Sequence, residues 1–174
     1  MAGRIHRWIG ASLAVACALG ALALAPHARA SEQLPHAHLV GSKAIAPRSA
    51  PPEVKAMIDA ANHIRHKPYV WGGGHRRWRS RGYDCSGSVS YVLHRAGLLD
   101  YPLDSTGFMH WGKHGRSGWV TIYASHRHAF MVIAGLRWDT SFITDGDRSG
   151  PGWSETMRPH KGFRVRHPAG SRRW

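Results

Sequence analysis

The sequence predicts a single α+β domain. Three observations carry this: two segments of the first half repeat apolar residues at helical spacing, short β-rich runs fill the second half, and short turns between them imply an antiparallel meander. Length limits the domain count. The chain has 174 residues and its first thirty read as an export signal, so about 144 remain to build a core.

The signal reading rests on a basic start at Arg4, His6 and Arg7, an apolar run over residues 8–25, and Ala28-Arg29-Ala30, small residues at the spacing a signal peptidase accepts. Cleavage is expected between Ala30 and Ser31. A membrane anchor is the alternative, but about 18 apolar or small residues broken by Gly10 and Gly20 are marginal for spanning a bilayer. A lipoprotein signal ending at Cys17 fits less well, because Ala14 stands where leucine is expected and the apolar run continues past the cysteine. The expected location is therefore outside the cytoplasm: periplasm, cell wall or medium.

Residues 31–50 hold Pro35, Pro47 and no sustained apolar period, and read as a flexible linker. From residue 51 the pattern changes. Pro52 suits a first helical turn, and Val54, Met57, Ile58, Ala61 and Ile64 follow at helical spacing up to Lys67-Pro68. PYVWGGG at 68–74 and the basic segment after it form a loop, since proline and three glycines break a helix. A second helix starts at Asp84-Cys85-Ser86, carries Val89, Val92, Leu93 and Ala96 on one face, and stops at Gly97. Strands are expected over 119–124, 129–134, 136–141 and 163–167, with a long surface loop over 144–161. The domain thus spans 51–168, followed by a basic tail, 169–174.

Loss of the signal removes Cys17 and leaves Cys85 as a lone thiol in an oxidising compartment, either a small buried hydrophobe or a reactive group. At a helix start it would face unpaired backbone NH groups and the positive end of the helix dipole, which favour a thiolate nucleophile. Ser86, Gly87 and Ser88 leave room for substrate, and backbone NH groups there could stabilise an oxyanion. Asp84 opposes a second negative charge, so binding a cationic substrate group is the role it suggests. Fourteen histidines invite a metal, but no CxxC, HExxH or carboxylate cluster accompanies them, and neither metal nor cofactor is expected. His126 and His128 would share one face of a strand. Trp71 and Trp119 sit among core-like neighbours.

The formal charge of +14 falls by three, to +11, with the signal's arginines, and draws the chain to polyanions. Its charges are scattered rather than gathered in one run, which argues against nucleic acid, and outside the cytoplasm the nearer polyanions are wall polymers and anionic lipid head groups.

PYVWGGG at 68–74, GYDCSGSVSYVLHRAGLL at 82–99 and HAFMVIAG from His128 together resemble the NlpC-type cell-wall cysteine peptidases, a papain-like family. The resemblance covers about residues 53–142. It implies that Cys85 is the nucleophile at a helix N-terminus, with His128 as its base at the start of a later strand. It also implies Asp139 in the third role and Tyr69 as an active-site tyrosine. Asp139 departs from the polar His, Asn or Gln common there; if it only closes a turn with Thr140 and Ser141, Asp145 or His160 comes next. The implied function is a monomeric endopeptidase acting on peptidoglycan stem peptides, commonly between D-glutamate and a diamino acid. The alternatives are an acyl transferase or amidase on the same fold, or a basic polyanion-binding module.

Overall fold

In the computed structural model the described residues are 35–143 and 147–170. The expected signal over 1–30 with its Cys17, the candidate Asp145, and residues 171–174 of the expected tail lie outside them. Among the described residues no helix is long and apolar enough to cross a membrane.

Helix α1 (Pro52–Ile64) begins with a proline in its first turn, where the missing NH costs no hydrogen bond. Its buried face is the one the spacing requires: Val54, Met57, Ile58, Ala61 and Ile64. Each large side chain removed from water there contributes about 1.5–3 kcal/mol. Helix α2 (Cys85–Arg95) is buried from Cys85 to Leu93. Its hydroxyls are satisfied locally, with Ser88 Oγ donating to the Cys85 carbonyl at 2.9 Å and Ser90 Oγ donating to the Leu103 carbonyl at 3.1 Å. The helix stops where Gly97 turns to φ 72°, a conformation a side chain disfavours. A short helix, α3 (Ser105–Phe108), follows.

Six strands make one antiparallel sheet: β3 (Lys113–His114), β4 (Val120–Ala124), β5 (Ala129–Ile133), β6 (Leu136–Asp139), β7 (Gly152–Ser154) and β8 (Arg164–His167), in the order β3-β8-β4-β5-β6-β7. Alternation along β4, β5 and β6 sends Ile122, Met131, Ile133 and Trp138 into the core shared with α1 and α2. Tyr123, Phe130, Arg137 and Asp139 alternate with them.

Two expectations are corrected. Residues 35–50 are not a flexible linker: β1 (His38–Val40) and β2 (Lys43–Ile45) form a hairpin ahead of both helices, with Ala37, Ala44 and Ala50 buried. The hairpin has no apolar period to read because its buried contacts are alanines and its anchor lies elsewhere. Asn62 of α1 accepts from the Ala44 amide at 2.9 Å and donates to the Ala44 carbonyl at 2.8 Å, so the side chain pairs with the strand as a backbone would. Residues 144–161 are not wholly surface loop either. Within them β7 pairs with β6, Trp153 packs at a tilt of 59° against Trp138 with centroids 4.9 Å apart, and its indole NH donates to Asn62 at 3.0 Å. A three-residue strand is too short to show alternation. Trp119 is buried as expected, whereas Trp71 is 82% exposed.

Asn62 therefore joins the hairpin, α1 and β7. Asn62→Ala leaves buried groups of Ala44 and Trp153 without partners, and should lower unfolding free energy by about 2–4 kcal/mol in urea titration. A loss under about 0.5 kcal/mol would show that the amide does not hold the hairpin.

Candidate active site

The site begins with a joint between the glycine loop and α2. Asp84 is extended (φ −89°, ψ −176°) and caps the helix, its Oδ1 accepting from the Gly87 amide at 2.7 Å. Oδ2 accepts from the Gly72 amide at 3.0 Å, so one carboxylate holds both pieces. Backbone bonds from Val70 to Tyr83 (3.2 Å), Tyr83 to Pro68 (3.1 Å) and Asp84 to Gly73 (3.2 Å) complete the joint. A Cβ on Gly87 would run into the Gly73 carbonyl oxygen, which is why two glycine-bearing motifs meet there.

His75, which sequence reasoning missed, lies 3.0 Å from Asp84 Oδ1 and 3.3 Å from Ser86 Oγ, and Ser86 Oγ donates to the same carboxylate oxygen at 3.3 Å. Burial opposes the charge on Asp84, but the bonds from His75 and from the Gly87 and Gly72 amides hold its carboxyl below the usual range. The bond to Asp84 raises His75 in turn, against burial. Asp84 and Ser86 do line the cavity over Cys85, yet the negative charge suggested for a cationic substrate group is matched by His75. Only the position of His75 just after the glycine triplet hints at this.

Cys85 is the first residue of α2 and is buried. It lies near enough to the ring of His128 to raise that imidazole, whose Nε2 is 2.8 Å from Asp139 Oδ1. A tight turn places that ring. Ser125 NH donates to the His128 carbonyl at 2.8 Å, and Ser125 Oγ accepts from the His128 amide at 3.2 Å. His126 and His128 thus lie in the turn before β5, not on a strand face. His126 is exposed on the rim of the Cys85 cavity.

The β5–β6 register, with Met131 opposite Trp138, puts Asp139 opposite Phe130 when continued, and therefore diagonal to His128. The Asp139 side chain is fully buried. Beyond His128, it meets Arg158 Nη1 at 3.0 Å and Arg137 Nη1 at 3.4 Å, and its Oδ1 accepts from the Ser141 amide at 3.2 Å. The expected turn-closing role and the histidine contact coexist in one carboxylate. His160 instead lies 3.2 Å from Arg116 and edge-on to Tyr123. The two arginines were not found from the sequence. Arg137 stands two residues before Asp139 among apolar neighbours, which is a signal; Arg158, nineteen positions further on, offers none.

Burial opposes the charge on Asp139, but His128 and Arg158 outweigh it and hold the carboxyl below its usual range. Burial likewise opposes the charge on His128, and its bonds to Asp139 and Cys85 push it up to about 9. The consequence for stability follows in sign. With its folded value raised, His128 contributes stability that is fully present below its ordinary value near 6.5 and is lost as pH rises through about 9. Asp139, depressed, contributes stability present above the ordinary carboxylate range and lost on acidification.

Tyr69 is half-buried; burial, then the charges of Cys85 and Asp84, raise its phenol, against Arg148, whose guanidinium lies 5.5 Å from the ring centroid. Two cavities adjoin here. One of about 570 Å³ opens over Cys85, Asp84, Ser86 and Thr106, and one of about 270 Å³ over His128 and Tyr69; Trp71, Arg127 and Arg148 border both. Among the described residues no group of three or more His, Cys, Asp or Glu could hold a metal ion. A thiol beside an imidazole that also meets a carboxylate can perform nucleophilic attack followed by proton delivery.

Asp139→Asn removes the anion facing one imidazolium and two guanidiniums, and should cost about 3–5 kcal/mol in urea unfolding at pH 7. Adding Arg158→Gln should recover part of that loss, because it removes a cation from the same buried cluster. A single-variant loss below about 1 kcal/mol, or strictly additive losses in the double variant, would contradict the clustering.

No family model and no curated protein matches the sequence. Solved structures do. The peptidoglycan hydrolase RipB from Mycobacterium tuberculosis matches at 22% identity and TM-score 0.52, over 72% of this chain and 70% of RipB. An NlpC/P60 family protein from Bacillus cereus matches at 19% identity and TM-score 0.51, over 70% of this chain and 42% of that protein, so this chain spans less than half its length. NlpC2 from Trichomonas vaginalis matches at 12% identity and TM-score 0.52, over 74% and 52%. The chain therefore has the fold of the NlpC/P60 proteins, the family its motifs resemble.

Proposed function

We propose that the chain is an exported cysteine peptidase that hydrolyses amide bonds in peptidoglycan stem peptides, at the bond between D-glutamate and a diamino acid. One observation carries the reading: Cys85 starts a buried helix beside the ring of His128, and Nε2 of that ring meets the buried carboxylate of Asp139. The likeness in fold to RipB, a peptidoglycan hydrolase, supports the substrate class. A formal charge of +14, or +11 once the three arginines of the signal are gone, supports retention near anionic wall polymers or a lipid surface.

In this reading the Cys85 thiolate attacks the amide carbonyl carbon, and NH groups of the first turn of α2 receive the oxyanion. As the C–N bond breaks, the His128 imidazolium gives its proton to the departing nitrogen, leaving a thioester on Cys85. His128, now neutral, takes a proton from water as the water attacks the thioester. That step releases a free carboxylate and restores the thiolate and imidazolium. Asp139 accepts one hydrogen bond from the ring throughout and holds its orientation.

Incubation of purified wall fragments with the protein and with Cys85→Ser, read by mass spectrometry, tests the reading. The expected result is a pair of wild-type-only products that end in a free D-glutamate carboxylate and a free diamino-acid amine. Identical fragment patterns with both proteins would overturn it. Products captured on an added amine would assign acyl transfer instead.

A further inference from the structure

We infer that a cavity between α1, α2 and the arginine segment after the glycine loop is a docking site for a phosphodiester polymer, remote from Cys85 and built on Arg79 and Arg95. It goes beyond the peptidase reading, since it concerns where the chain is held and not what it cuts. Charge along the chain is one-sided here. Residues 60–83 hold Arg65, Lys67, Arg76, Arg77, Arg79 and Arg81 and no Asp or Glu.

The cavity measures about 370 Å³, and its wall includes Asp59 and His63 of α1, Tyr91 and Arg95 of α2, and Arg79. That volume is about twelve waters' share of liquid, enough for a phosphate group with the carbons on either side of it. It shares no lining residue with the cavities over Cys85 and His128. Arg95 stands at the opposite end of α2 from Cys85, about 15 Å away along a helix axis.

Arg79 is exposed, yet the backbone on both sides of it is held. Tyr83 Oη donates to the Trp78 carbonyl at 2.7 Å and accepts from the Ser80 amide at 3.2 Å. The Trp78 ring stacks on His94, with centroids 3.8 Å apart and planes 3° from parallel, and His94 Nδ1 lies 2.9 Å from the Leu99 carbonyl oxygen. Among the described residues nothing hydrogen-bonds or ion-pairs with the side chains of Arg79, Arg95, Asp59 or His63. Arg95 at least complements the negative end of α2, whereas Arg79 lies on no helix. Two guanidiniums thus face one cavity with their donors unengaged by the fold, and the planar fork of each matches the oxygens of a phosphate.

The surroundings select the polymer. Asp59 is the one carboxylate on the wall, so the site suits the single charge of a diester better than a dianion, and its oxygens can accept from the hydroxyls of a polyol or sugar unit. A lipid surface calls for apolar side chains that insert beside the cations. Among the described residues the exposed large hydrophobics include none from 72–81 and none on the cavity wall. A nucleic acid calls for open ring faces, and Trp78, half-buried, gives one of its faces to His94. Arg76, Arg77 and Arg81, exposed on the same segment, offer further cations to a chain of repeated phosphates.

The test measures binding of the full chain to linear poly(glycerol phosphate) by calorimetry, beside poly-glutamate as a carboxylate polyanion and vesicles of equal parts phosphatidylcholine and phosphatidylglycerol. The pair Arg79→Gln with Arg95→Gln is compared with Arg164→Gln with Lys113→Gln, which removes the same charge from exposed positions on the sheet. The first pair should weaken polymer binding by about tenfold or more, as expected for loss of two charged hydrogen-bond partners, and the second by less than about threefold. Both pairs should cleave a soluble stem peptide at the wild-type rate, because neither touches the Cys85 cleft. Equal weakening by the two pairs would reduce the effect to net charge and overturn the site. Polymer binding that is absent, or no tighter than binding of poly-glutamate or of the vesicles, would overturn it too. If the wild type cleaves no stem peptide and yet binds the polymer through Arg79 and Arg95, the docking site stands and the peptidase reading falls.

Discussion

The carboxylate of Asp139 is buried among three cationic side chains, and much of the second half of the molecule is arranged around it. Burying one charge without partners would cost several kcal/mol, so the carboxylate dictates what must surround it. The β5–β6 register brings His128 to one oxygen. Arg137, two positions earlier on the same strand, reaches the other. The segment after β7 has to fold back so that Arg158 can complete the set, and its guanidinium also comes within 5.6 Å of the Phe130 ring centroid. The same contacts keep His128 charged, so the interaction that closes the fold also sets the protonation state of the proposed base.

The Cys85 end is built differently. Its order comes from a backbone joint in which glycines let the 68–74 loop cross the first turn of α2, and Asp84 fastens loop to helix. His75 balances that carboxylate, which reconciles an acid beside the proposed nucleophile with its place at a helix start. The site thus has two His–Asp couples with separate duties, one fixing the loop and one fixing the imidazole that meets the thiol.

What the sequence disclosed follows the range of the interactions involved. Helices α1 and α2 and strands β4, β5, β6 and β8 were legible because their patterns are local: helical spacing in 52–64, runs of β-forming residues, and stops at Gly97 and in the short turns. The positions of Cys85, His128 and Asp139 could be named from motif resemblance, and they come together in space. The N-terminal hairpin and β7 were not legible, because what holds them is a single amide on Asn62 that bonds residues 18 and 91 positions away. Arg158 and His75 escaped for a like reason, since a charged residue in a loop carries no local mark of the carboxylate it will meet. Trp71 went wrong the other way: apolar neighbours in sequence suggested a core residue, but the glycine loop turns it out to the rim of the cleft.

The central claim, that His128 is held as a cation between Asp139 and Cys85, is tested most directly by ring-nitrogen NMR of His128 across pH 5 to 11. The account predicts a doubly protonated ring at neutral pH that loses its proton near 9. In Cys85→Ala the value should fall but stay above the ordinary histidine value, because Asp139 remains. A ring that titrates near 6.5 in the wild type, and does not respond to Cys85→Ala, would contradict it.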